Sequence, residues 1–376
     1  MVMEYSILKS TIPQKQLETY VTKRVYDSQY WPLFFPFKQK TRLNVETLIG
    51  EEGNRVAADI VSYDSSAPEK RRPVTNKLTT ELPAIRVKRK MSEIDLNEYF
   101  SLLALADSEG QREALKIVFG DIDFVMNAVL GRLEWMALQT LAKGIISLSA
   151  TNNTGIVTEA NIDFQLPTGN KEYIGSAGGT AAATHYWTTA VKATNDPITD
   201  IESIISEAAT SGVKLNYMLM NRTKWNDFRQ SAAVQDFVAP YMVYGGTRKK
   251  LAPSLEIMND ALKGYGFPEA VVIDTRVSIE NADHTITSVD PWLHTNDAYV
   301  TFLENLQVGN MLWCKTAEEQ APPKQALHMK KGPILISKYS DVDPVAEYTA
   351  GLLNAFPSWP TIDRAWILNT ESHTAF

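Results

Sequence analysis

The sequence predicts an α+β fold in which one long helix lies among strand-rich segments and next to a separate α/β region. Three observations lead to this prediction. A helical pattern runs from 108 to 143, strand-like segments without a core of their own precede it, and helix and strand signals alternate over 190–308. With 376 residues, 44% of them apolar, the chain is expected to form more than one compact unit.

Composition excludes several classes of protein. The single cysteine, Cys314, rules out an internal disulfide and a cysteine-based zinc site, and its surroundings, MLWCKT, predict a buried strand with an inert thiol. The net charge of −7 disfavours a general polyanion binder. The N-terminus lacks the regions of a signal peptide, and the apolar runs fall short of the ~20 residues of a membrane helix. We therefore expect a protein that stays inside a cell and has no membrane partner.

An aromatic run, YWPLFFPFKQK, closes the first 40 residues. Its two prolines each remove a backbone donor and disfavour helix upstream, so the run is predicted to be an extended arm. Its large rings need an apolar surface, on their own chain or on a neighbouring one. We predict that they anchor the arm on a neighbouring subunit; these anchors are Trp31, Phe34, Phe35 and Phe37.

Two strand-like segments follow the arm, TRLNVETLI at 41–49 and NRVAADIVSY at 54–63, and GEEG joins them. Further on, AIRVKRK places Ile85 and Val87 on one side and basic residues on the other, as in a half-solvated strand. The whole of 43–90 is therefore interpreted as a long two-stranded excursion. Because an isolated hairpin is at best marginally stable in water, something outside the excursion should hold it.

The excursion is basic in an otherwise acidic chain. Residues 67–90 contain eight Lys or Arg and two Glu, which gives them a net charge of +6. Because the whole chain has a net charge of −7, the rest of it carries −13. These charges are spread around three prolines, and no aromatic residue stands among them to stack on bases, which disfavours a nucleic-acid site. We predict either a solvated face or a face between subunits; its basic residues are Arg71, Arg72, Lys77, Arg86, Lys88, Arg89 and Lys90.

The clearest element is a helix that begins with a capping box of Ser108 and Gln111 and ends near Lys143. About 35 residues span roughly 50 Å at the helical rise. Apolar stripes on two faces predict that the helix is sandwiched between other elements. Its acidic residues Asp121 and Asp123 are assigned to a solvated edge.

The α/β region has recognisable helix starts. Thr199 with Glu202 predicts a capping box, Asn221 at the end of the strand YMLMN should cap the helix RTKWNDFRQS, and Ser254 should open another helix. The tail, AEYTAGLLNAFPSWPTIDRAWIL, has strand character and is expected to pair with the first half of the chain.

A search for catalytic chemistry finds no set of residues that could perform it. The five histidines lack ligand spacing, and GSAGGTAAA at 175–183 lacks the Lys and the strand-to-helix context of a phosphate loop. YSDVDP at 339–344 could bind a divalent ion, although its proline favours a turn. The sequence therefore predicts neither an enzyme nor a cofactor.

The order of these features resembles the major capsid (head) proteins of tailed bacteriophages, specifically the lambda-like capsid protein E family. WPLFFPFKQKTRLNVE leads into the excursion, ELPAIRVKRKMSEIDLNEY precedes the long helix, and DVDPVAEYTAGLLNAFPSWPTIDRAWIL closes the chain. The similarity covers most of the chain and is weakest at 150–330. It implies the HK97-like capsid fold.

The resemblance also implies a division of the chain. In that fold, 1–40 would be the N-terminal arm, 41–90 the E-loop, and 91–189 the first part of the peripheral domain, with 108–143 as its spine helix. An α/β axial domain would occupy 190–308, and 309–376 would be the closing strands of the peripheral domain.

The function implied by the resemblance is self-assembly into the icosahedral head shell of a tailed phage, as hexamers and pentamers enclosing double-stranded DNA without sequence-specific binding. Because no further domain precedes the arm, a separate scaffolding protein is expected, together with a portal and, in some heads, a decoration protein. Such a protein is a virion component that assembles in the bacterial cytoplasm.

Two other functions stay open on the sequence. An encapsulin-like shell would use the same fold to enclose an enzyme instead of a genome. A nucleic-acid-binding protein would use 67–90 directly, and its affinity for DNA would fall steeply with salt.

Overall fold

The computed structural model describes residues 14–26, 29–49, 76–104, 108–149, 152–153, 160–176, 181–244, 247–248, 251–281, 283–293, 298–323, 326–342 and 345–373. Within these ranges the helices are α1 Gln14–Lys23, α2 Trp31–Phe34, α3 Glu93–Ala104, α4 Ser108–Lys143, α5 Pro197–Thr210, α6 Arg222–Gln230, α7 Ala232–Val238, α8 Leu255–Gly264 and α9 Ala317–Gln320. None of these helices is long and apolar enough to cross a membrane.

The strands in the same ranges form two larger sheets and several hairpins. They are β1 Phe37–Gln39, β2 Asn44–Ile49, β3 Asn76–Glu81, β4 Ala84–Met91, β5 Ile145–Leu148, β6 Ala160–Asp163, β7 Lys171–Tyr173, β8 Tyr217–Asn221, β9 Val243–Tyr244, β10 Thr247–Arg248, β11 Glu269–Ile273, β12 Val277–Glu280, β13 Ile286–Val289, β14 Tyr299–Leu303, β15 Asn310–Cys314, β16 Leu327–Lys331, β17 Ile334–Val342, β18 Val345–Ser358 and β19 Trp366–Asn369.

The larger sheet is built around β18, the 14-residue strand of the tail. On one side β18 pairs with β17, which in turn pairs with the edge strand β16. On its other side β18 pairs with two strands in succession, first with β4 along residues 347–354 and then with β15 along residues 354–358. Strand β1 pairs in parallel with β15. The tail therefore pairs with the first half of the chain, as the sequence predicts.

Helix α4 lies against this sheet and has the predicted bounds. Its first apolar stripe is buried from Val118 to Met136, and from Leu133 onward nearly every side chain of the helix is buried. The helix approaches β18 closely at Gly351, where an added Cβ would lie 3.2 Å from Cβ of Val125. This glycine lets the helix and the sheet share one core.

The second sheet has the strand order β11-β8-β14-β19-β7 and lies within the α/β part, where α5, α6 and α8 bury their apolar faces. Two of its strands come from outside the predicted axial range of 190–308, namely β7 at 171–173 and β19 at 366–369. The end of the tail, which the prediction assigned to the closing strands of the peripheral domain, therefore lies in the sheet of the α/β part.

The excursion is described at its base. Among the strands that the structure describes, β2 and β3 pair with each other alone, from Asn44 opposite Glu81 to Ile49 opposite Asn76. The predicted strand at 54–63 lies outside the described residues. Strand β4, assigned above to the end of the excursion, pairs with β18 from Ala84 to Met91 and so belongs to the larger sheet. Its alternation is as predicted, with Ile85 and Val87 more buried than the basic residues.

Most helix starts in the α/β part are as predicted. Asn221 accepts the backbone N–H of Lys224 at 2.8 Å, and Ser254 caps α8. The capping box of Thr199 with Glu202 is wrong. Asp196 caps α5 instead, because Pro197 takes the first helical position and the carboxylate accepts both the backbone N–H and the hydroxyl of Thr199.

Candidate functional site

The aromatic anchors of the arm are buried within their own subunit. Trp31, Phe34 and Phe35 are at most 4% exposed and belong to the main core, and Phe37 packs partly against it. The ring of Trp31 meets that of Phe37 edge-on, with centroids 4.5 Å apart. The prediction that these rings anchor the arm on a neighbouring subunit is therefore wrong for Trp31, Phe34 and Phe35. Their apolar surface is already buried within their own chain.

A buried carboxylate on α4 fixes this part of the arm. Glu134 is 1% exposed, and it accepts the backbone N–H groups of Tyr30 at 3.0 Å and Trp31 at 2.9 Å. These N–H groups stand at the start of α2, where helical donors lack partners and favour a negative charge. Burial raises the pKa of Glu134, and the two N–H donors oppose that shift.

A second carboxylate, Asp123, holds α1 against the spine helix. It accepts the hydroxyls of Tyr20 at 2.8 Å and Tyr26 at 3.2 Å, and it pairs with Arg24 at 3.2 Å. The ring of Tyr20 also stacks on Phe119 with centroids 4.1 Å apart. Burial and the nearby carboxylate raise the pKa of both tyrosines, so their hydroxyls stay protonated donors at neutral pH.

The other side of α4 binds β4. Arg89 pairs with Asp121 at 3.2 Å, and its guanidinium lies over the ring of Phe124 at 4.8 Å. Asp121 is 7% exposed. Its assignment, with Asp123, to a solvated edge is therefore wrong, because both carboxylates receive cations or hydroxyls from elements that are distant in sequence.

The predicted basic residues thus divide into groups. Lys88 lies over the ring of Tyr348 at 4.0 Å, whereas Arg86 and Lys90 are exposed and form no ion pair with any other residue that the structure describes. Lys77 lies in β3 opposite Leu48. Arg71 and Arg72 lie outside the described residues. Within the part of the chain that the structure describes, Arg86 and Lys90 are therefore exposed cations of β4 that neither form an ion pair nor lie over an aromatic ring.

Sequence reasoning missed a buried charge beneath these residues. Lys338 of β17 is fully buried, and its ammonium donates to Thr349 at 2.7 Å. Burial lowers the pKa of Lys338, while Glu347 and Asp121 act to raise it. The signal in the sequence was a lysine inside the apolar strand ILISKY, which is unusual at a core position.

A second missed lysine fixes the end of the chain. Lys224 is 1% exposed, and its ammonium contacts Glu371 at 2.6 Å, the carbonyl of Trp187 at 2.7 Å and Asp227 at 3.2 Å. It therefore joins α6 to the residues that follow β19. Breaking such a buried pair leaves an uncompensated charge, so this contact should be important for stability.

Burial raises the pKa of two carboxyls in this part of the fold, Glu172 of β7 and Asp200 of α5. Burial raises the pKa of Glu172 to about 7. The nearby Glu207 raises this pKa further, whereas the hydrogen bond from the Ser176 hydroxyl lowers it. Burial likewise raises the pKa of Asp200 to about 6, although its carboxylate accepts the indole N–H of Trp187 at 2.8 Å. A cavity of about 10 Å³ beside Asp200 and Ser176 has room for a water molecule but not for a substrate.

No group of three or more His, Cys, Asp or Glu side chains in the described ranges could hold a metal ion. Asp341 of YSDVDP lies at the end of β17, and the next acidic residue of that motif falls outside those ranges. Cys314 is buried, as predicted.

Comparisons with known proteins agree with this description. The family model described as phage major capsid protein E matches residues 14–357. A solved structure described as the capsid protein of a prophage from E. coli CFT073 is 16% identical, covers 95% of this chain and 99% of its own, and has a TM-score of 0.56. No curated protein sequence matches.

Two further solved structures have lower structural similarity. A phage-related protein from Bordetella bronchiseptica RB50 is 13% identical with a TM-score of 0.49, covering 95% of this chain and 97% of its own. The encapsulin SrpI from Synechococcus elongatus PCC 7942 is 11% identical with a TM-score of 0.41, and the match covers 94% of this chain and 93% of the encapsulin chain. The family match covers nearly the whole chain, and the fold is the HK97-like capsid fold. The chain therefore belongs to the phage major capsid protein E family, whose members form the shell of the virion.

Proposed function

We propose that this chain assembles, as hexamers and pentamers, into the icosahedral head shell of a tailed phage that encloses double-stranded DNA. It acts as a building block and has no catalytic activity. A separate scaffolding protein and a portal take part in assembly, a decoration protein binds some heads of this kind, and assembly takes place in the host cytoplasm.

One observation supports this proposal above the others. Strands β2 and β3 form a hairpin that pairs with neither larger sheet, and such a hairpin is marginal alone in water. A neighbouring subunit would supply the surface that the hairpin lacks. The excursion would then belong structurally to two copies at once, as self-assembly requires.

The free cations of β4 support the same function. Arg86 and Lys90 project from the strand that follows the hairpin, and the chain outside 67–90 carries a net charge of −13. A neighbouring copy therefore offers acidic surface. Complementary charge would fix register and speed encounter, while apolar burial would supply most of the affinity.

Electron microscopy of the purified protein tests the proposal directly, and closed shells or capsomers are expected. The variant R86E/K90E should assemble poorly, whereas K192E/K214E, with the same change in charge at exposed residues of the α/β part, should assemble normally. A protein that stays monomeric under all conditions, with scaffold present or absent, would contradict the proposed function.

The contents of the particles separate this proposal from the encapsulin-like alternative. Particles isolated from cells that carry the complete phage genome should protect double-stranded DNA from nuclease. Particles filled with an enzyme and no DNA would support the alternative. Tight DNA binding by the unassembled protein that falls steeply with salt and is lost in R86E/K90E would instead indicate a nucleic-acid-binding protein.

A further inference from the structure

A shallow, open groove runs along α1, which supplies most of its lining, and borders α4 at Phe119. It has a volume of about 750 Å³, and its apolar wall is formed by the stacked rings of Tyr20 and Phe119. Its rim carries three cations, Lys15, Lys23 and Arg24, and none of the described residues that line it is acidic. Arg24 is paired with Asp123, whereas Lys15 and Lys23 form no ion pair within the described part of the chain. The groove therefore suits an apolar side chain with carboxylates beside it.

Helix α3 of the same chain has this chemistry. It buries Leu96 and Tyr99 against the subunit and exposes most of its remaining surface. Ile94 is 79% exposed, an unusual position for a large apolar side chain. Glu98 follows it by one helical turn, and Glu93 precedes it directly; neither carboxylate has an ion-pair partner among the described residues.

The groove and α3 lie on opposite flanks of the subunit. Helix α1 packs on β16, the edge strand on one side of β18, whereas α3 packs beside β4 on the other side. The spine helix separates them, because Asp123 faces α1 and Asp121 faces β4. Two complementary surfaces on opposite flanks cannot meet within one copy, but they can meet between copies placed side by side.

We propose that α3 of one copy docks in the α1–α4 groove of the next, with Ile94 against Tyr20 and Phe119, and Glu93 and Glu98 against Lys15 and Lys23. The contact is head-to-tail, so its repetition generates a ring when the rotation closes. This inference rests on the proposed function and names one surface through which neighbouring subunits meet.

Charge reversal on each side tests the contact. K15E/K23E makes the groove acidic, and E93K/E98K makes the helix basic; since all four residues are exposed, both variants should fold with unchanged thermal stability. In each variant like charges now face each other, so the yield of closed particles should fall by about tenfold or more. I94S should lower the yield without any change in net charge.

Mixing the two variants is the decisive measurement. The acidic groove of K15E/K23E fits the basic helix of E93K/E98K, and the two unaltered surfaces still fit each other, so the mixture should form hexameric rings although neither variant does alone. Because the copies must alternate, native mass spectrometry should show rings with even numbers of subunits, so the mixture restores hexamers but not the pentamers that a closed shell needs. The control mixture of K192E/K214E with E202K/E256K carries the same charge changes elsewhere, and each of its members should assemble alone.

Several results would overturn the inference. Normal assembly of either reversed variant would do so, as would failure of the mixture to recover hexameric rings when both variants are folded. If K15E/K23E alone is impaired and deletion of residues 2–12 has the same effect, the groove is instead covered by the chain's own N-terminal segment. If the control variants also need mixing, net charge is responsible. Failure of the unaltered protein to form any particle would contradict the proposed function, not this contact alone.

Discussion

Replacing Phe34 with Ala should destabilise the isolated subunit before any assembly step. The ring is fully buried in the main core. The backbone of the same residue also holds the turn before β15, because its carbonyl accepts the N–H groups of Val308 at 3.1 Å and Gly309 at 3.3 Å. Truncation would leave a cavity in the region where the arm meets the larger sheet.

The size of the effect follows from this burial. Truncation of a fully buried Phe to Ala costs about 3–5 kcal/mol. At about 2.1 cal/mol/K per residue, unfolding of 376 residues has an entropy of about 0.8 kcal/mol/K, so the midpoint should fall by about 4–6 °C. Since whole-protein stabilities are commonly about 5–15 kcal/mol, the variant should still fold at room temperature.

Thermal and urea unfolding of the unassembled subunit measure this loss. The matched control is Leu33→Ala, in the same helical turn but 49% exposed, which should cost below about 1 kcal/mol. A Phe34→Ala subunit as stable as the original, with only its assembly impaired, would refute the reasoning. That result would mean that the ring docks on a neighbour, as the sequence had suggested.

Three further predictions concern buried charges. Lys224→Met should cost about 3–5 kcal/mol in urea unfolding, and adding Glu371→Gln should recover part of this loss; an additive double variant would contradict the pairing. The pKa of Glu172 is raised to about 7 in the folded state. The contribution of this carboxyl to the free energy of unfolding is therefore complete below its ordinary pKa and is lost as the pH rises through 7. At pH 8, Glu172→Gln should therefore be more stable than the original protein by about 1–2 kcal/mol, after allowance for residual hydration. At pH 4 the two proteins should be equally stable. A difference in stability that is the same at both pH values would exclude the titration of Glu172. Glu134→Ala should cost about 2–4 kcal/mol because two buried N–H groups lose their acceptor, while Glu134→Gln should cost less, and loosening of the arm should appear as faster hydrogen exchange at Trp31.

Local signals in the sequence predicted the elements that local chemistry determines. The spine helix has the predicted bounds because its apolar spacing repeats over ten turns and no proline interrupts it. Strand β8 and the cap at Asn221 were predicted correctly for the same reason, since a cap acts within three residues. The cap of α5 failed because Asp196 and Thr199 are both good cap residues, and the following Pro197 decides between them.

Pairing between distant segments could not be obtained in this way. Periodicity shows that 366–369 is strand-like, but it does not show that the strand joins β14 and β7 instead of the larger sheet. The burial of Phe34 and Phe35 was ambiguous for the same reason, because an aromatic run requires an apolar surface without specifying which chain supplies it. The basic residues of β4 were found as a group, yet only the fold separates Arg89, which is paired, from Arg86 and Lys90.

The carboxylates of the spine helix explain how one element orients the parts of the subunit that would meet its neighbours. Asp121 holds β4 on one flank, Asp123 holds α1 on the other, and Glu134 fixes the start of α2 between the arm and the core. A buried carboxylate without a partner is costly, so each of these contacts should favour a single position of the segment it binds. The groove under α1 and the exposed face of α3 are thereby presented at a fixed separation across the helix. A rigid separation of this kind is what a repeated head-to-tail contact needs, because small errors in angle accumulate around a ring.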